Sequence, residues 1–201
     1  MSRRATGVLA LALAALLTPA GAEAQIPAVP PEVAWAALGV DVRLEVRRFD
    51  LPGRDFAHAR RSLALLGPTT EDGSHSHALT TYDVSVRWKL TPGPSGCRAE
   101  DVHVVARIVI DLPRWPGARD APERDARAWT VVEEALTHHE NRHRDAALEA
   151  AYRLRRKLTD AHARSCSGLT RRVDTVTRQV RRELRAAQAA IDREERGPSS
   201  R

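Results

Sequence analysis

Trp129, Val132, Leu136, His139, His143, Ala146, Ala150 and Leu154 follow one another at steps of three and four. That spacing lines them up on one face of a helix and predicts a helix through Glu133–Leu158, with Asp125 upstream as N-cap. A helix with one apolar face has to bury it against a sheet or other helices, so the rest of the chain must supply that surface. On the stripe lies His139-Glu140-Asn141-Arg142-His143, an H-E-x-x-H pattern. Residues i and i+4 stand one above the other on a helix, so the two imidazoles can hold one metal ion, and Glu140 can take a proton from a metal-activated water. Two inward histidines need partners, because buried polar groups without them are costly. A shared metal satisfies both; hydrogen bonds to strand residues such as Asp111 are the alternative.

The surface for that helix is legible upstream. Val40, Val42, Leu44 and Val46 alternate with charged residues, Tyr82, Val84, Val86, Trp88 and Leu90 with Asp83, Ser85, Arg87 and Lys89, and Val102, Val104, Ala106, Ile108, Ile110 and Leu112 leave His103, Arg107 and Asp111 on the opposite face. A period of two marks strands with one buried face. Pro92–Gly96 turns the chain between the last two, which read as antiparallel neighbours. Between the first two strands Arg54–Leu66 has helical spacing and stops at Gly67-Pro68. The fold class expected is α+β: a small antiparallel sheet packed against the long H-E-x-x-H helix. His75 and His77 fall in a polar loop and read as a solvated turn rather than a metal pair.

Five stretches divide the chain. Residues 1–24 read as a cleaved signal peptide, with basic Arg3-Arg4, apolar Gly7–Leu17 and an Ala22-Glu23-Ala24 cleavage site. Residues 25–39 read as a Pro-rich linker, 40–166 as the main domain, 167–196 as a C-terminal helix and 197–201 as a disordered tail. Export to the periplasm or beyond agrees with the cysteines, Cys97 and Cys166, which pair most simply as one disulfide. No later apolar stretch is long enough for a transmembrane segment. The net charge of +6 comes almost wholly from Arg, with Lys only at 89 and 157. Arg in place of Lys often reflects a GC-rich coding sequence, so the charge does not call for a nucleic-acid partner.

In the C-terminal helix Leu169, Val173, Val176, Val180, Leu184, Ala187 and Ile191 form a thin stripe among arginines. Such a helix can dock on the domain, self-associate or lie on an anionic surface, and a solvated amphipathic helix is the default. The sequence does not show a third metal ligand. Glu149 sits off the histidine face of a continuing helix, which leaves Asp160, Asp174, His103 and Asp111 as open alternatives, and Asp145 pairs with a neighbouring Arg or orients a histidine. His138 points about 100° away from His139 and reads as a surface group.

The order of landmarks resembles a bacterial family called domain of unknown function 922, described as predicted secreted zinc-dependent proteases. The resemblance runs from about Val40 to Cys166. It takes in Phe49-Asp50, Leu66-Gly67-Pro68, Tyr82-Asp83-Val84, Trp88, Cys97, Ile110-Asp111-Leu112-Pro113, Trp115 and His139–His143. It implies an exported α+β metallopeptidase-like domain with zinc on the motif helix. The function expected is therefore a secreted zinc-dependent metallopeptidase acting on a protein or peptide, with His139 and His143 on the metal and Glu140 as general base. The alternative is a non-catalytic envelope protein, with a structural metal or histidine pair and an Arg-rich helix that binds a partner or an anionic surface.

Overall fold

In the computed structural model, which describes residues 35–70 and 73–196, the alternating segments become three long strands, β1 (Val40–Asp50), β2 (Leu79–Gly93) and β3 (Gly96–Arg114). The signal-peptide segment, residues 25–34 of the linker and the tail at 197–201 lie outside the described residues. β2 and β3 form the expected antiparallel hairpin, closed where Gly93 faces Gly96. β1 lies on the other side of β3 but parallel to it, from Val40 opposite Val104 to Asp50 opposite Arg114. The sheet is thus mixed, in the order β1-β3-β2, and the expected all-antiparallel arrangement is corrected. Alternation is the same in parallel and antiparallel strands. What sets the direction of β1 is its long return connection through α1 (Phe56–Leu66).

Central β3 turns Val104, Ala106, Ile108, Ile110 and Leu112 into the core, each nearly fully buried. α1 is capped by the Asp55 carboxylate, which accepts from the His58 amide at 2.8 Å. It ends at Gly67, where an added Cβ would lie 1.8 Å from the Ser76 carbonyl oxygen, so only glycine lets the two chains pass.

The motif helix, α2 (Glu123–Thr159), starts earlier than Glu133. A single 3-10 turn, Pro116–Arg119, precedes it, and Pro122 rather than Asp125 occupies the N-cap. Asp125 instead joins two helices: its carboxylate accepts from the Phe56 amide at 3.3 Å and ties the starts of α1 and α2 together. Acidic residues in the first turn and Arg156 and Lys157 in the last suit the helix dipole. Trp129, Leu136, Leu148, Leu154 and Leu158 are buried on α2. Trp115 packs edge-on against Trp129 at 6.1 Å and donates its indole N–H to the Gly53 carbonyl at 2.8 Å. At 35–37 the end of the expected linker forms a helical turn whose Trp35 meets Tyr152 of α2 edge-on, 6.1 Å between centroids.

After a short β4 (His162–Ala163) paired to the start of β3, the chain enters α3 (Cys166–Arg196). Cys97 and Cys166 form the expected disulfide across 69 positions, which stabilises by about 4 kcal/mol in the chain-entropy model. α3 docks on the domain, burying Leu169, Val173, Val180, Leu184 and Ile191. Two ion pairs cross to α2, Arg153–Glu183 at 3.4 Å and Arg142–Glu194. Among the described residues no helix is long and apolar enough to cross a membrane, and the disulfide fits an extracellular or periplasmic protein.

Candidate metal centre

α2 lies between the sheet and α3, and its motif is divided between those two neighbours. Glu140, adjacent to His139 but about 100° around the helix, faces the sheet and is 4% exposed. There the Thr80 hydroxyl of β2 donates to Glu140 Oε2 at 2.6 Å. His139 and His143 face α3. The sequence suggested that the two histidines face the sheet; instead they face the C-terminal helix.

The two Nε2 atoms lie 3.0 Å apart, with the rings edge-on at 78°. Asp192 of α3 brings its Oδ1 to 3.1 Å from His143 Nε2 and 3.7 Å from His139 Nε2. A tetrahedral ion with bonds of about 2.0–2.2 Å needs donors about 3.3–3.6 Å apart, and the three separations bracket that value. Two nitrogens and a carboxylate oxygen converging on one point are the donor set of a divalent metal such as zinc, so His139, His143 and Asp192 can hold a metal ion. Asp192 remains 47% exposed while the imidazoles are 13% and 11%, so the centre opens to solvent on the α3 side.

Gln188, one turn before Asp192 and itself buried, fixes the tautomer of His143. Its amide nitrogen donates to the His143 carbonyl at 3.1 Å, which leaves its oxygen to accept from His143 Nδ1. With the proton on Nδ1, Nε2 presents a lone pair toward Asp192 and His139.

The other candidates are elsewhere. Asp111 stands on β3 opposite Leu79, while His103, Asp160, Asp174 and Glu149 are exposed and outside the cluster. His138 is exposed, and Asp145 pairs with Arg144 at 2.7 Å. His75 turns Nδ1 to the Gly67 carbonyl at 2.8 Å and His77 is exposed, as the solvated-turn reading has it. Asp192, Gln188 and Thr80 are the residues the sequence reading missed. Gln188 lies four residues after Leu184 on the apolar stripe of α3, and a polar residue on a buried stripe followed by Asp at i+4 is the signal that marks it.

A family model described as bacterial protein of unknown function (DUF922) matches residues 46–198. The chain belongs to this family. The DUF922 match runs on through α3, past Cys166, and so includes Gln188 and Asp192 as well as the H-E-x-x-H helix. No curated protein and no solved structure matches the chain.

Proposed function

We propose that this DUF922 protein is an exported zinc-dependent metallopeptidase, delivered by its N-terminal signal peptide and acting on protein or peptide substrates. The observation that supports it most is that two members of the His139–His143–Asp192 cluster, His143 and Asp192, line a cavity of about 860 Å³ together with Glu140. His139, His143 and Asp192 offer three donors, the number a catalytic zinc site takes from the protein.

Zinc held by His139, His143 and Asp192 would supply Lewis acidity toward a water and toward the carbonyl of the scissile peptide. Glu140 is the base. Thr80 holds its Oε2, and the carboxylate lines the cavity beside His143 and Asp192. The carboxylate takes a proton as the water oxygen bonds to the carbonyl carbon, and returns it to the amine nitrogen as the C–N bond breaks. Gln188 keeps His143 in the tautomer whose Nε2 faces Asp192.

Purified mature protein is expected to hold one equivalent of zinc by elemental analysis and to cleave an unfolded protein substrate in a chelator-sensitive manner. Glu140→Gln is expected to keep the zinc and lower turnover by about 10²-fold or more. Unchanged cleavage by that variant would remove Glu140 from the mechanism, and the absence of zinc-dependent turnover from the wild type would remove the peptidase reading.

A further inference from the structure

The cavity beside the metal centre reaches from Glu140, His143 and Asp192 along β2 to Val84, and α3 forms its other wall. Arg181 and Arg185 line that wall. Four residues apart, they stack on one face of the helix, where two like charges repel unless an anion joins them. Among the described residues neither forms an ion pair; the acids of α3 that cross to α2, Glu183 and Glu194, pair with Arg153 and Arg142. Among the described residues Arg181 donates to the Val84 carbonyl, at 3.4 Å, on β2 at the edge of the sheet. Among the described residues, the acids that line the cavity are committed in other directions. Glu140 accepts from Thr80, Asp192 joins the histidines, and Asp83 lies on the exposed side of β2 with cross-strand Arg107 at 3.7 Å. Two guanidiniums that form no ion pair among the described residues, at one end of a cavity, are suited to a carboxylate, which each can bind through paired N–H donors.

We infer that Arg181 and Arg185 bind a carboxylate of the peptide substrate, making the cavity selective for anionic peptides. The inference rests on the peptidase reading of the neighbouring centre. At 1.5 Å per residue Arg185 lies about 10 Å and Arg181 about 16 Å along α3 from Asp192. An extended peptide advances about 3.3 Å per residue, so the recognised group sits about three to five residues from the bond at the centre. An acidic side chain and the peptide's own C-terminus offer the same chemistry.

The test uses short dansylated peptides carrying either Glu or Gln, each with a free or amidated C-terminus. Binding is measured by fluorescence on full-length Glu140→Gln protein, and cleavage on the wild type. Peptides with a carboxylate are expected to bind about tenfold more tightly than the Gln amide, with the difference shrinking as salt rises. The Glu amide and the Gln free acid report which source is used. Adding Arg181→Gln and Arg185→Gln is expected to erase the difference, whereas Arg178→Gln with Arg182→Gln, the same charge change outside the cavity, leaves it in place. Equal binding of all the peptides, or equal loss in both double variants, overturns the inference. Should the wild type cleave none of the peptides while the binding preference persists and disappears only with Arg181 and Arg185, the peptidase reading fails and the carboxylate site stands.

Discussion

The two helices that meet at the metal centre differ in how they came to carry it. α2 brings His139, Glu140 and His143 within one turn and a residue, so their relation is fixed by helix geometry before any tertiary contact forms. α3 brings Gln188 and Asp192 from more than forty positions along the chain, and their place depends on an apolar stripe and two ion pairs to α2. A metal centre of this kind is half local code and half docking, and substitutions on the docked half are the ones that probe it.

The largest effect on that half is expected from Asp192→Ala. Removing a direct donor should lower zinc affinity by more than about 100-fold, beyond the usual cost of losing a group that only orients a ligand. Competition with a chromophoric chelator measures it, and wild-type affinity would mean that α3 merely covers the histidines. Gln188→Leu keeps the volume and removes the hydrogen bond to His143 Nδ1, so affinity should fall by about 10-fold to 100-fold with the helices still docked.

Replacing Cys97 and Cys166 together by Ser should lower the thermal midpoint clearly but leave zinc affinity within about twofold. Cys166 is about 39 Å along α3 from Asp192, and effects at distant sites without shared partners are nearly independent. A large loss of affinity would instead show that the bridge positions α3 along its whole length.

The smallest effect lies outside both helices. The Arg114 guanidinium, bonded to Asp50 at 2.6 and 2.9 Å, holds that carboxyl below the usual carboxylate range. A lowered folded-state pKa contributes stability above the unfolded value near 3.8, and that contribution is lost as pH falls through the folded value. Asp50→Asn should therefore trim stability slightly at neutral pH, converge with wild type in strong acid and leave zinc binding unchanged. Both groups are solvent-exposed, so the difference in melting temperature should be small.

These two kinds of organisation also explain what could be read from the sequence. The stripe from Trp129 to Leu154 and the three alternating segments carry their periods within a few residues, so the helix, the strands and the α+β class were legible. The hairpin was legible from Pro92–Gly96. The direction of β1 was not, because residues on one side of a strand look alike whichever way the neighbour runs. His139, Glu140 and His143 were visible as candidates through their spacing. Asp192 was not, since four other acids and histidines had equal claim until α3 was placed in register on α2. The same step turned the histidines from the sheet toward α3, a choice between two buried neighbours that an apolar period cannot make.

Chain order gives the position of Asp192 a consequence for biosynthesis. Both histidines and Glu140 leave the ribosome well before the third donor, at a synthesis rate of about 5–20 residues per second. A chain arrested or clipped ahead of Asp192 retains the sheet, the motif helix and the base but only two of the three donors. A metal ion that needs all three donors would therefore find them together only once α3 has been made and docked.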